Sequence, residues 1–201
     1  MAYGDFTLKL INEKFGIKNR VERLFDNQKP IDSSDWLKKT LEIAAKLPNR
    51  SEKSKSETIV MPILLELRER NHDFFTVYSG ENLNVDIESG LNGECDFILT
   101  KDTHTFDINL PIIQVVEAKK HDIDLGVPQC AAQMVGAKFF NERNGAPLEY
   151  IYGCVTTGNE WKFLRLNKDL TIDSRVYYLN ELGELLAVFQ NIISYYIDTL
   201  K

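Results

Sequence analysis

Three side chains in this sequence have the types and spacing to do acid–base chemistry around a cation. In Pro111-Ile112-Ile113-Gln114-Val115-Val116-Glu117-Ala118-Lys119-Lys120 an apolar, β-branched run ends in an acid and a base. Side chains on a strand alternate faces, so Glu117 and Lys119 share one face and Ala118 takes the other. A carboxylate and an ammonium at the end of a buried strand are costly to desolvate without a partner. Upstream, Gly93-Glu94-Cys95-Asp96-Phe97-Ile98-Leu99 reads as a second strand, which brings Asp96 beside Glu117. Two carboxylates and a lysine converging on one point suit a hard divalent cation, Mg²⁺ or Mn²⁺, and an activated water. Mg²⁺ takes one or two carboxylates, keeps several waters and shares its shell with phosphate oxygens. The chemistry expected is phosphodiester cleavage.

Asp96 on one strand, Glu117-Ala118-Lys119 on the next and a following helix with Gln129 and Gln133 make the chain resemble the PD-(D/E)XK, or restriction-endonuclease-like, nuclease superfamily. The stretch from Tyr152 to Phe163 is similar to the late hairpin of the N-terminal nuclease domain of type I restriction motor subunits. Ser56-Glu57, opening the first core helix, is similar to that group too. The resemblance covers roughly residues 50–170 by domain-size expectation. It implies that Asp96 and Glu117 ligate the metal, joined by the backbone carbonyl of Ala118. Lys119 would position or deprotonate the water and offset charge on the phosphorus. A helix glutamine would brace the site; Gln133, deeper in the helix, is preferred to Gln129, for which surface polarity is the competing reading. A glutamate of the first core helix would also serve. Glu57 is preferred to Glu66, which lies half a helical turn out of phase and reads as a solvated partner of Arg70.

Other residues near these motifs are left out of the site. Cys95 stands where the family usually has proline. A second acid-x-Lys triplet, Glu160-Trp161-Lys162, follows a Gly-Asn turn and reads as hairpin surface charge. Lys120 alternates to the opposite face and takes no catalytic part. His72 and His104 fall in turns, and His121 reads as a surface-loop residue.

The elements that must hold these residues form an α/β order. Residues 5–28 show mixed helical spacing with a break at Gly16. Ser33-Ser34-Asp35 offers an N-cap for a second helix, whose apolar side is Trp36, Leu37, Leu41, Ala44, Ala45 and Leu47. Residues 49–56 read as a polar linker into a helix over 56–70, which either kinks at Pro62 or begins near Met61 with Pro62 at N1; the kinked helix is preferred. Residues 74–78 and 83–87 suit a hairpin about Ser79-Gly80-Glu81-Asn82. A polar loop over 101–109 leads to the Glu117 strand, and a helix spans 126–144 with Pro128 in its first turn. A hairpin over 150–166, a short strand at 176–179 and a last amphipathic helix from Leu182 to Ile197 follow. The predicted fold is a restriction-endonuclease-like mixed central sheet flanked by helices, with residues 1–48 as an N-terminal helical extension and 49–201 as the nuclease-like domain.

Composition bounds the rest. The 201 residues are 43% hydrophobic and 27% charged, as in a globular protein with a substantial core. No apolar run reaches the roughly 18 residues of a membrane span. The N-terminus lacks the pattern of a signal peptide. Cys95, Cys130 and Cys154 fit neither a zinc site nor a disulfide framework, and read as buried thiols of a cytoplasmic protein. The net charge of −6 argues against tight, metal-free, non-specific DNA binding. The expected function is a metal-dependent DNA nuclease, working as a homodimer or with a separate recognition or motor subunit. The alternative is a nuclease-fold module that binds nucleic acid or a partner without cutting.

Overall fold

The computed structural model describes residues 1–26, 28–101 and 107–200. It is an α/β structure: one mixed sheet of eight strands with helices on both faces. The strands are β1 (Asn19–Glu22), β2 (Thr76–Asn82), β3 (Glu94–Thr100), β4 (Ile112–Ala118), β5 (Ile151–Thr156), β6 (Glu160–Leu166), β7 (Leu170–Asp173) and β8 (Tyr177–Tyr178). They run in the order β1-β7-β6-β5-β4-β3-β2, with β8 beside the start of β6. Only β4–β5 and β1–β7 are parallel. The helices are α1 (Leu8–Phe15), α2 (Asp35–Ala44), α3 (Glu52–Lys55), α4 (Met61–Arg70), α5 (Val127–Arg143) and α6 (Leu182–Thr199).

β4 is buried along its whole length, as its unbroken apolar run requires. α5 makes the crossover from β4 to β5 and covers one sheet face together with α1 and the N-terminal turn. Its small residues Ala131, Ala132, Gly136 and Ala137 are all buried. At Gly136 a Cβ would sit 2.3 Å from the Tyr3 hydroxyl, so only glycine lets that tyrosine lie against the helix. The opposite face carries α2, α4 and α6 around Trp161, Phe163, Phe189 and Tyr196. All three cysteines are buried and free. No helix among the described residues is long and apolar enough to cross a membrane.

The first expected helix is overturned in its second half. α1 stops at Gly16, which has φ 70° and ends the helix in the left-handed conformation, and residues 19–22 form a strand instead. β1 is exposed along its length and exists through its pairing with β7, a strand the sequence reading lacked. The early hairpin also differs. Ser79 to Asn82 are part of β2, which pairs with β3, and the chain reverses at 86–91, where the Leu91 amide bonds the Asp86 carbonyl. α2 is capped by Ser34 as expected, but Trp36 and Leu47 are about half exposed and not part of its buried side.

The expected linker is shorter than predicted, because Ser51 caps α3 and starts the helix at Glu52. A π-turn, Ser56–Val60, then joins α3 to α4, with the Met61 amide bonded to the Ser56 carbonyl. Pro62 cannot donate to the preceding turn, and the wider turn just before it accommodates that loss. Much of the expected polar loop, with His104, lies outside the described residues. Residues 1–26 carry β1 of the sheet and place Tyr3, Phe6, Ile11 and Phe25 in its two apolar layers.

Candidate active site

β3 and β4 run antiparallel with Phe97 opposite Val116, so the same register sets Asp96 across from Glu117. The amide of Ala118 donates to Asp96 Oδ2 at 2.7 Å, which ties the first acid to the backbone of the second strand. An extended residue turns its N–H and C=O toward the same neighbour. The Ala118 carbonyl therefore faces the Asp96 side too. Lys119 leaves the β3 side: its amide donates to the Thr156 carbonyl on β5 at 2.7 Å.

Glu117 is 2% exposed and held at both oxygens. Lys119 Nζ donates to Oε1 at 2.6 Å, and Gln133 Nε2, from α5, donates to Oε2 at 2.6 Å. Gln129, one turn earlier on α5, accepts from Lys119 Nζ at 3.0 Å. The two glutamines thus share one helix face, with Gln133 gripping the acid and Gln129 the base. Gln129 is part of the cluster and not mere surface polarity.

Burial pushes the Glu117 carboxyl up to about 7, aided by the charge of Asp96 and opposed by Lys119 and Gln133. Burial raises Asp96 as well, against the Ala118 amide and Lys119, while Glu52 and Glu94 add to the rise. Burial alone would lower Lys119, but the Glu117, Glu52 and Asp96 carboxylates outweigh it and hold the ammonium above its ordinary range. Lys119 is accordingly protonated at neutral pH.

Glu57 reaches the wall of a cavity of about 410 Å³ shared with Asp96, Glu52, Glu94 and Ser79. Its side chain is 63% exposed, 4.0 Å from Lys53, and makes no hydrogen bond to Asp96 or Glu117. Glu66 points elsewhere and is buried, not solvated. It accepts from the Ser34 amide at 3.0 Å and from the Ser34 hydroxyl at 2.5 Å, while Arg70 donates to it at 2.9 Å. Its ion pair with Arg70 matches the expected one; its burial and its grip on the α2 cap do not. The Glu160-Trp161-Lys162 triplet is not plain surface charge either: Trp161 is fully buried and Lys162 pairs with Asp124 at 2.9 Å.

Three residues near the site escaped the sequence reading. Glu52 accepts from the Lys120 amide at 3.0 Å, and Lys55 donates to the Lys120 carbonyl at 2.8 Å, so α3 clasps the peptide just beyond the base. Both lie in the stretch read as linker, and the Ser51 cap was the signal that a helix begins there. Gly126 packs under Lys119, where a Cβ would come within 2.9 Å of its Cγ and 2.5 Å of Val155 Cγ1. Nothing local in the sequence marks that approach.

The donor set fits a hard divalent cation of the Mg²⁺ type. Asp96 and Glu117 offer carboxylate oxygens, and the Ala118 carbonyl lies on their side. Each Glu117 oxygen keeps a lone pair beyond its present bond. Among the described residues no group of three or more His, Cys, Asp or Glu side chains is placed to hold a metal ion. An open two-carboxylate site suits Mg²⁺, which keeps several waters. No family model matches the chain, and no curated protein matches it.

Proposed function

We propose that the chain is a Mg²⁺- or Mn²⁺-dependent nuclease of the restriction-endonuclease-like type that cleaves DNA. One observation carries the reading: Lys119 Nζ lies 2.6 Å from a buried Glu117 whose strand is tied, through the Ala118 amide, to Asp96. Asp96, distant in sequence, lies beside the Glu117–Lys119 pair on the neighbouring strand.

In this reading Asp96, Glu117 and the Ala118 carbonyl hold the cation. When bound, the cation polarises the phosphoryl oxygen and lowers the pKa of its water. The cation's charge would add to that of Lys119 in favouring the ionised Glu117 against its burial. Lys119, held protonated by its carboxylates, orients the attacking water and offsets negative charge building on the phosphorus. Gln129 fixes the ammonium, Gln133 fixes Glu117, and Glu57 faces the same cavity from α3's side.

The test is incubation with supercoiled plasmid and with single-stranded DNA in Mg²⁺, Mn²⁺ or EDTA. Metal-dependent cleavage, lost in Lys119→Ala, is the expected result. Absent cleavage, or cleavage that survives Lys119→Ala, rejects the reading.

A second reading, a nuclease-fold module that binds nucleic acid or a partner without cutting, draws on the acidic rim of Glu52, Glu57 and Glu94 around the cavity. Calorimetry with Mn²⁺ separates the two. The nuclease reading expects one site lost in Asp96→Asn, and the module reading expects none. A homodimer, or a complex with a recognition or motor subunit, is part of the proposal, and size measurement tests it.

A further inference from the structure

We infer that a small pocket at the far end of the sheet binds a phosphate group. Thr171 on β7 stands opposite Arg20 on β1 and opposite Arg165 on β6. Adjacent strands are roughly 4.8 Å apart, so the two arginines flank Thr171 on one face, their Cα atoms roughly 10 Å from each other.

Both guanidiniums are held in place. Arg20 Nε donates to Thr171 Oγ1 at 3.2 Å and lies 3.2 Å from Glu22. Arg165 is half-buried with its guanidinium carbon 4.8 Å from the centre of the Tyr150 ring. Among the described residues no carboxylate lies within ion-pair distance of Arg165 or Arg50, whereas Arg20, Arg23, Arg68, Arg70, Arg143 and Arg175 each have at least one. Arg165 also makes a side-chain hydrogen bond with the Tyr152 hydroxyl; a guanidinium carries five N–H donors, so others remain for an anion in the cavity that Arg165 lines.

That space is a cavity of about 180 Å³, which Lys168 and Asp169 close from the β6–β7 turn. In a chain of net charge −6, three cations here face one acid in the cavity wall, with Glu22 partly offsetting Arg20. Guanidiniums bind phosphate oxygens through paired hydrogen bonds. Thr171 Oγ1 accepts from Arg20, which leaves its O–H to donate to the same anion. The volume is below the roughly 300 Å³ of a pocket for a whole organic ligand, so it suits a phosphate rather than a complete nucleotide. Arg165 pairs with Tyr152 on β5, and Ala118 neighbours Thr156, four residues or roughly 13 Å further along that strand. The inference is therefore independent of the proposed nuclease centre. The phosphate is either free orthophosphate or the terminal phosphate of a nucleic-acid strand.

The test is calorimetry of the full chain in EDTA at fixed ionic strength. The probes are orthophosphate, an end-phosphorylated oligonucleotide, and the same strand without its phosphate. Saturable binding of at least one phosphate probe is expected, weakened about tenfold or more in Arg165→Gln. Arg165→Lys, which keeps the charge but not the planar fork, falls between. Lys9→Gln, on the exposed side of α1, binds as the wild type does. Orthophosphate sufficing alone identifies the free anion; binding confined to the phosphorylated strand identifies a strand end. Should Arg165→Gln not fold, Lys168→Gln, at an exposed turn, takes its place with a smaller loss of affinity and an unchanged thermal midpoint. No saturable binding, equal binding of the unphosphorylated strand, unchanged affinity in the Arg165 and Lys168 variants, or loss in Lys9→Gln overturns the inference.

Discussion

Gln133 Nε2 donates to Glu117 Oε2 at 2.6 Å, and both side chains are buried. The bond links the middle of α5 to the end of β4 and leaves Gln133 Oε1 with no partner among the described residues. A buried amide left half satisfied is costly. Its retention beside a raised carboxyl marks the place where this fold gives up stability to hold an acid in position.

The raised Glu117 sets the pH dependence of stability. Its carboxyl titrates at about 7 in the folded protein, against the ordinary glutamate value of 4.5 that it regains on unfolding. Between those values the unfolded chain sheds the proton that the folded one keeps, so stability falls as pH rises through the window. Asp96, raised in the same direction, steepens the fall, and Lys119, raised from 10.5, contributes only at alkaline pH. The thermal midpoint in EDTA is expected to drop between about pH 5 and about pH 8, and Glu117→Gln to flatten that drop. An equal slope in the variant would show that other groups carry it.

Glu52 offers a way to tell positioning from ligation. Its carboxylate accepts from the Lys120 amide, a task a glutamine oxygen can also do. Under the proposed function Glu52→Ala lowers turnover about 10- to 100-fold, as loss of a supporting contact does around metal sites. Glu52→Gln keeps most of it. Hydrogen exchange at the Lys120 amide should speed up in the alanine variant alone. Equal damage from both substitutions would assign Glu52 a charge-dependent role instead.

Gly126 is the seat of the base. A methyl there would collide with Val155 and with the Lys119 stem. Gly126→Ala is expected to cost about 1–3 kcal/mol of stability by overpacking. Under the proposed function it should also reduce cleavage more than it reduces Mn²⁺ affinity, since the displaced group is the amine and not a proposed ligand. Wild-type turnover in this variant, by plasmid assay, would mean that the lysine stem finds another path.

Gln114 is a test of the core alone. It is fully buried on β4, between Leu99 and Tyr152 in register, and both its amide atoms lack partners among the described residues. Replacing an unsatisfied buried amide by an apolar side chain of similar length recovers its desolvation penalty. Gln114→Met should stabilise the chain by about 1–3 kcal/mol in urea unfolding. A loss of stability would contradict that expectation.

The sequence by itself determined the local pieces. The β-branched composition of the run into Glu117 favours a buried strand, and strand alternation put Glu117 and Lys119 on one face. Spacing of four residues put Gln129 and Gln133 on one side of α5, and the Ser34 cap and Gly16 stop were written in residue type. These depend on backbone geometry that a few neighbouring residues control. Tertiary structure alone decided the long-range relations. β1 is a strand because β7 lies beside it, Glu66 is buried because α2 docks on it, and Glu52 and Lys55 reach Lys120 because a helix, not a linker, runs past the strand end. Such contacts join residues dozens of positions apart. Their energy comes from shared burial and paired hydrogen bonds, which no short window of sequence contains.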